Sequence, residues 1–240
     1  MTAQLEQLGR DVRALLLDFD GPVCSIFAGY PAPVVAQELV QSLRTRGAGF
    51  VGELASETDP LEVLRRTGTE GNHSLTSAIE DALTAAEVKA AETAEPTPYG
   101  REVIVAARQL GLPIAVVSNN SSQAIEAYLQ RHRLARHVYA VVGRAYAEPR
   151  QMKPNPAPIL HAARTLGVDP KLCVLLGDSL SDIEGAQASG TRVIAFANKR
   201  SKHRLFEQAG ADVVVTSMRE VAEALMRLDT SQAEARPDRP

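Results

Sequence analysis

From Tyr99 to Leu228, short apolar runs alternate with stretches of helical spacing, and this alternation constrains the fold more than any other feature. The predicted strands are residues 114–117, 137–142, 172–176, 192–196 and 212–215. The predicted helices are residues 101–110, 123–131, 157–166, 182–188, 202–209 and 219–228. Repeated strand–helix units form a parallel sheet with helices on both faces. We therefore expect an α/β fold with a Rossmann-like, doubly wound parallel sheet as its core.

Residues 24–98 interrupt this pattern. Helical periods are found at 34–43, 60–66 and 75–91, and no strand is evident between them. The sequence thus predicts a small inserted α-helical cap at 24–98 and an α/β core made of 1–23 and 99–228. The polar, proline-ended segment 229–240 is predicted to be a disordered tail.

Charge and cysteine usage exclude several partners. The 240 residues carry a net charge of -3, which gives no electrostatic reason to expect nucleic acid or an anionic membrane surface. No apolar run approaches the roughly 20 residues of a membrane span, and the N-terminus lacks a signal-peptide core. Cys24 and Cys173 show no metal or redox spacing. We expect a cytoplasmic monomer or homodimer with neither nucleic acid nor membrane as partner.

Two aspartates follow the first predicted strand, whose apolar run is Leu15–Leu17. Residues two apart on a strand point to the same side, so Asp18 and Asp20 can face one spot as the strand ends. Gly21 then frees the backbone to turn. Two adjacent carboxylates repel each other unless a cation or a shared proton offsets the charge. The alternative is a strand end with two solvated surface acids.

Polar residues also follow three later segments, where ligands of parallel sheets bind. Ser118 and Asn119 follow the strand 114–117, and Lys153 lies in a proline-stiffened loop before a helix. Asp178 ends the strand 172–176, and Asp182 follows in the first helical turn. Each alone is compatible with a turn, a surface lysine or a helix-start acid. Their shared position at strand ends predicts a single site.

These motifs resemble the haloacid dehalogenase superfamily, which consists mostly of phosphatases, over about residues 12–228. The matches to its four motifs are, in order, Asp18-Phe19-Asp20-Gly21, Ser118, Lys153, and Gly177-Asp178 with Asp182. The helical stretch after Asp20 resembles the cap that one branch inserts between its first and second motifs.

The resemblance implies Mg²⁺-dependent hydrolysis of a small phosphorylated metabolite through an aspartyl-phosphate. Asp18 would be the nucleophile, ionised at neutral pH, and Asp20 the acid and base that serves the leaving group and the water. Mg²⁺ would bind Asp18, the backbone carbonyl of Asp20, and Asp178.

The remaining motif residues would hold the substrate. Ser118, the Asn119 amide and Lys153 would bind the phosphoryl oxygens, where charge stabilisation matters most. Asp182 would orient a metal-bound water or Lys153. Four carboxylates facing one lysine also favour a metal ion, since Mg²⁺ brings the cluster close to charge balance.

Other functions use the same sequence features. Dehalogenases of this superfamily have a different residue in place of Asp20, which argues against dehalogenation. A sugar-phosphate mutase would use the same four motifs, and a non-catalytic binding protein is disfavoured because no motif position is lost. Gly21 is followed by Pro22 where the family often has threonine, which leaves the timing of Asp20 chemistry open.

Substrate contacts in the cap are not fixed by the sequence. Arg65, Arg66 and Asn72 are candidates, and nothing selects them over solvent. If the cap closes as a lid, hinges are expected near Gly21-Pro22 and Thr97-Pro98. The basic cluster Lys199, Arg200, Lys202 and His203 is interpreted as a solvated helix start, with contact to an anionic substrate as the alternative.

Overall fold

The computed structural model describes Leu5 and residues 11–234, with side chains described to 228. The strands are β1 (Ala14–Leu17), β2 (Cys24–Ser25), β3 (Glu95–Pro96), β4 (Ile114–Val117), β5 (Ala140–Val142), β6 (Cys173–Gly177), β7 (Arg192–Phe196) and β8 (Val213–Val215). The α-helices are α1 (Ala32–Thr45), α2 (Pro60–Glu70), α3 (His73–Ala91), α4 (Gly100–Gln109), α5 (Ser122–Arg131), α6 (Ala157–Leu166), α7 (Leu180–Ser189), α8 (Arg200–Gln208) and α9 (Met218–Glu234). Short 3₁₀ turns lie at Val51–Leu54, Ala135–His137, Pro149–Gln151 and Pro170–Leu172.

Six parallel strands form one sheet in the order β5-β4-β1-β6-β7-β8. The first strand lies in the middle, with Leu16 opposite Ala115 of β4 and Leu175 of β6. Because side chains alternate along a strand, Leu15 and Leu17 join the hydrophobic cluster on one face and Leu16 the cluster on the other. Helices cover both clusters, so the predicted doubly wound α/β fold is confirmed.

Three cap helices share a third hydrophobic cluster. Leu39 and Leu43 of α1 lie one turn apart, as do Ile79 and Leu83 of α3, and all are buried together. This spacing places one apolar stripe of each helix against the others. The helix α3 does not end within the cap, because Ala90, one of its last residues, belongs to a cluster of the sheet. It is therefore an element shared by cap and core.

The structure corrects the predicted elements in several places. The segment 24–98 contains strands, because β2 and β3 pair antiparallel, with Cys24 opposite Pro96; two-residue strands are too short to show alternation. The predicted strand 137–142 is a strand only from Ala140, since residues 135–137 form a 3₁₀ turn. The predicted strand 172–176 starts and ends one residue later. The last helix continues past residue 228 to Glu234.

The predicted boundaries 1–23, 24–98 and 99–228 stay a prediction, and tail residues 235–240 lie outside the described residues.

At the expected hinges the two connections between core and cap lie side by side. The Thr97 hydroxyl donates to the Gly21 carbonyl at 2.5 Å, and the Thr97 amide donates to the Val23 carbonyl at 3.0 Å. A Cβ on Gly100 would lie 2.6 Å from the Pro22 carbonyl oxygen, so glycine is required for this approach.

Within the described residues, none of the helices combines the length and the apolar character that crossing a membrane requires.

Leu16→Ala should destabilise the fold by about 2–5 kcal/mol, since this side chain is fully buried in the central strand and the sheet can collapse only partly around the cavity. Urea unfolding followed by circular dichroism measures the change. Leu205→Ala on α8, where the side chain is 44% exposed, is the matched control and should cost little. Equal losses for the two variants would contradict the assigned core.

Candidate active site

Strand order brings the predicted site residues together. Asp18 follows β1, Ser118 follows β4, and Asp178 follows β6. Since β1 lies between β4 and β6, these strand ends are neighbours at the carboxyl edge of the sheet. Lys153 reaches the same edge from the loop after the 3₁₀ turn Pro149–Gln151.

Lys153 is the central charge of this edge and is only 1% exposed. Its ammonium group lies 2.9 Å from Asp18 Oδ1 and 2.6 Å from Asp182 Oδ1, and it donates to the Val117 carbonyl at 2.8 Å. Burial by itself lowers the pKa of Lys153, but the two carboxylates raise it by a larger amount, so that the pKa is about 12. The lysine is therefore charged at every pH at which the protein would work.

Asn119 fixes the backbone of that lysine. The Lys153 amide donates to Asn119 Oδ1 at 2.8 Å, and Asn119 Nδ2 donates to the Lys153 carbonyl at 3.1 Å. From the sequence, only the backbone amide of Asn119 was expected to act, on phosphate, so this side-chain role was missed. It depends on pairing between two loops far apart in the chain, for which the sequence pattern gives no signal.

Asp182 uses both carboxylate oxygens within the protein. Oδ1 binds Lys153, and Oδ2 accepts from the Ser179 amide at 3.1 Å and its hydroxyl at 2.6 Å, in a capping box at the start of α7. A Cβ on Gly177 would lie 2.3 Å from Asp182 Cγ, so the strand end must be glycine. Asp182 was expected to orient either a metal-bound water or Lys153, and its hydrogen bonds fit the second of these roles.

Asp18 is buried among charges of both signs. Burial raises its pKa to about 7; Asp182 and Asp178 raise it too, while Lys153 opposes them. Without a bound cation the carboxyl therefore titrates near neutrality. This differs from the expectation that Asp18 is simply ionised at neutral pH, because that expectation used the value of an exposed aspartate.

The acidic cluster fits a hard divalent cation. One carboxylate oxygen each from Asp18, Asp178 and Asp182 lies within 4.8 Å of the others. Since Asp182 is engaged by Lys153 and Ser179, the carboxylates left for a metal are those of Asp18 and Asp178. Oxygen ligands of this kind are those that Mg²⁺ prefers. The Asp20 side chain is outside the cluster, and its carbonyl as a ligand stays a prediction.

Lys202 and Asn198 hold Asp178 from the far side. Lys202 Nζ donates to Asp178 Oδ2 at 2.8 Å and to its carbonyl at 2.7 Å, and Asn198 Nδ2 donates to the same Oδ2 at 2.8 Å. The interpretation of Lys202 as a solvated helix-start residue was wrong. A usable signal was present, because Lys202 follows β7, and β7 is the neighbour of β6, the strand that ends at Asp178.

Asp20 lies just beyond β1 and is half-buried. Its Oδ1 accepts from the Ile26 amide at 3.0 Å. Burial raises the pKa of Asp20 to about 6, partly offset by this hydrogen bond. The next residue, Gly21, has φ of 104°, and a Cβ there would lie 2.4 Å from Asp178 Cγ. Glycine thus permits both the turn and the close approach of the two aspartate strand ends.

One of the three cap candidates contacts the site. Arg65 Nη2 donates to the Lys153 carbonyl at 3.1 Å, so α2 of the cap touches the loop that carries the lysine. Arg66 instead pairs with Glu53 and with Glu70, and Asn72 caps α3 by accepting from the Leu75 amide.

The family model described as a haloacid dehalogenase-like hydrolase matches residues 12–190. This match covers more than half of the chain, so the chain belongs to the haloacid dehalogenase-like hydrolases and is an enzyme of the hydrolase class. The resemblance drawn from the four motifs is confirmed.

Curated relatives and solved structures agree with this assignment. An uncharacterized hydrolase of Saccharomyces cerevisiae is 22% identical, over 92% of this chain and 94% of its own length. Phosphoglycolate phosphatase of Escherichia coli strain K12 is 24% identical over 59% of this chain and 55% of its own length, so the chain spans about half of that relative.

CbbY from Rhodobacter sphaeroides, solved with phosphate, has a TM-score of 0.67 at 22% identity, over 90% of this chain and 99% of that one. The β-phosphoglucomutase of Clostridium difficile has a TM-score of 0.65 at 16% identity, over 94% and 100%. These two likenesses show the fold.

The thermal stability of the metal-free protein should report the raised pKa of Asp18. A carboxyl whose pKa rises from 3.8 to about 7 on folding stabilises the protein fully below pH 3.8, and this contribution is lost as pH rises through about 7. In chelator, Asp18→Asn should therefore melt a few degrees above the wild type at about pH 8, and the gap should narrow towards about pH 5.

Differential scanning calorimetry over this pH range measures the gap. Glu126→Gln, which changes an exposed carboxyl on α5, is the control and should show no pH-dependent gap. A wild type that melts above Asp18→Asn at about pH 8 would contradict the burial argument.

Proposed function

We propose that this hydrolase is an Mg²⁺-dependent phosphomonoester hydrolase that acts on a small phosphorylated metabolite through an aspartyl-phosphate on Asp18. The observation that carries the proposal is the pairing of buried Lys153 with Asp18 and Asp182 beside a second carboxyl, Asp20, whose pKa is raised to about 6. Phosphoryl transfer needs a nucleophile, a separate proton donor for the leaving group and a positive charge that stabilises the phosphoryl oxygens, and these residues supply all three.

In the first step an oxygen of Asp18 attacks phosphorus, and the bond from phosphorus to the substrate oxygen breaks. Asp20 gives its proton to that leaving oxygen. In the second step water attacks the phosphorus of the aspartyl-phosphate, Asp20 takes the proton of the water, and the bond to Asp18 breaks to release inorganic phosphate. A pKa of about 6 suits both transfers, since proton donors work best near the ambient pH.

Ser118, the Asn119 amide and Lys153 hold the transferring phosphoryl oxygens in this proposal. Ser118 is buried at the end of β4, next to the Lys153 loop that Asn119 fixes. When bound to Asp18 and Asp178, Mg²⁺ supplies positive charge that keeps Asp18 ionised and offsets the charge of the substrate.

The substrate class rests on the family and on the small cap. The relatives named phosphoglycolate phosphatase, and the solved β-phosphoglucomutase, both act on small phosphorylated compounds by their names. A sugar-phosphate mutase would need the same residues, and release of inorganic phosphate without a bisphosphate activator separates it from a hydrolase. Two buried free cysteines, Cys24 and Cys173, favour the reducing cytoplasm as its location.

Chelation should abolish release of inorganic phosphate, because Asp18 then faces two further carboxylates without a balancing divalent ion. Mg²⁺ should restore turnover, and Ca²⁺ should inhibit it, since its looser coordination misplaces the nucleophile. A malachite green assay with p-nitrophenyl phosphate and a panel of sugar phosphates and phosphoglycolate makes the measurement. Full activity in excess chelator would rule out the metal-dependent mechanism.

Asp20→Asn should lower kcat on the order of 10²–10⁴-fold for an alkyl phosphate, whose leaving oxygen needs a proton. The loss should be much smaller for p-nitrophenyl phosphate, since nitrophenolate leaves without protonation. Asp18→Asn is the matched variant and should remove turnover of both substrates. Equal losses for the two substrates in Asp20→Asn would contradict the role of Asp20 as acid.

A further inference from the structure

A buried ion-pair cluster lies behind the loop Ser118–Ser121, and the proposed reaction makes no use of it. Arg144, just after β5, pairs with Glu80 at 2.7 Å and with Glu87 at 2.9 Å, both on α3 of the cap. The three side chains are between 0% and 3% exposed. Two carboxylates against one guanidinium leave the cluster one negative charge in excess, which in a buried site requires further hydrogen-bond donors.

The loop supplies those donors to Glu87. The Ser121 amide donates to Glu87 Oε2 at 2.9 Å, and Asn120 Nδ2 donates to Glu87 Oε1 at 3.1 Å. From the other side, Arg144 Nη1 donates to the Asn119 carbonyl at 2.7 Å, and the Arg144 amide donates to the Asn120 carbonyl at 2.9 Å. Three consecutive loop residues are thus each tied to the cluster.

Gly143, the residue before Arg144, lets the loop pack closely against the end of β5. A Cβ on Gly143 would lie 2.4 Å from the Ser122 amide nitrogen and 2.8 Å from the Asn120 carbonyl oxygen. Glycine before Arg144 therefore lets the end of β5 lie directly against the loop. Charge-assisted hydrogen bonds in a buried site are strong and favour one geometry, so this arrangement permits little freedom in the peptide planes of the loop.

Glu80 lacks these contacts, although its chemistry is the same. It accepts from Arg144 Nε at 2.9 Å and from Nη2, and its other partner is the Thr84 hydroxyl on its own helix. Glu80 and Glu87 thus differ in one respect that matters, because only Glu87 contacts the loop.

We infer that Glu87 and Arg144 are positioning residues that hold the phosphate-binding loop Ser118–Ser121 in its working geometry, so that a cap helix contributes to phosphate affinity without touching phosphate. The inference rests on the proposed function, in which Ser118 and the Asn119 amide bind the phosphoryl group. It deepens that proposal, since the cap would act on phosphate binding as well as on the choice of leaving group.

The test compares Glu87→Gln with Glu80→Gln in the full chain with Mg²⁺ present. Both substitutions remove one negative charge next to Arg144, so both weaken the repulsion between this cluster and the phosphate anion to the same extent. Ser121 and Asn120 donate to different oxygens of Glu87, and glutamine keeps only one of these oxygens, so at position 87 one of the two hydrogen bonds is lost. The dissociation constant of inorganic phosphate, measured by isothermal titration calorimetry, should be about tenfold higher for Glu87→Gln than for Glu80→Gln.

Arg144→Lys provides a second variant should Glu87→Gln unfold. Lysine keeps the charge but lacks the planar fork that reaches both glutamates and the Asn119 carbonyl, so phosphate affinity should again fall about tenfold below the wild type. Wild-type affinity in Arg144→Lys, or equal affinity in the two glutamine variants, would overturn the inference alone. A wild-type protein that binds no phosphate would overturn the proposed function and this inference together.

Discussion

The buried ammonium group of Lys153 is the charge around which the site is organised. It lies between Asp18 and Asp182, and its positive charge offsets part of the cost of burying two acidic side chains. Its backbone is held by Asn119 and touched by Arg65 of the cap. Removing Lys153 would leave Asp18 and Asp182 buried without their shared cation, so the arrangement of both acids depends on this lysine.

The same physics explains why the glycines at this edge cannot change. Gly21 and Gly177 each occupy space that a Cβ would share with an aspartate, Asp178 and Asp182 respectively. Close packing of carboxylates is what raises the pKa of Asp18, through burial first and like charges second. The aspartates can therefore lie this close together only because the residues beside them, Gly21 and Gly177, have no side chain.

The sheet could be predicted from the sequence because fully buried strands give continuous apolar runs. The order of Asp18, Ser118, Lys153 and Asp178 along those strands then placed one site at the carboxyl edge. Interactions between loops were not predictable in the same way: Asn119 with Lys153, Lys202 with Asp178, and Arg144 with Glu87 each join residues separated by a long stretch of chain. Their side chains look like ordinary surface polar residues until strand order brings them together.

The short ribbon of β2 and β3 has a consequence for how the sheet can fold. It joins the two ends of the cap at Cys24 and Pro96, and Thr97 bonds directly to Gly21 and Val23. The cap therefore leaves and re-enters the core at neighbouring points, and it forms a loop whose two ends are already in contact. The chain entropy lost in closing a loop grows only logarithmically, by about 0.6 kcal/mol for each doubling of length. Insertions or deletions in the α1–α2 part of the cap therefore impose almost no entropic cost on β1 and β4, and the sheet can keep its register while that part of the cap changes size.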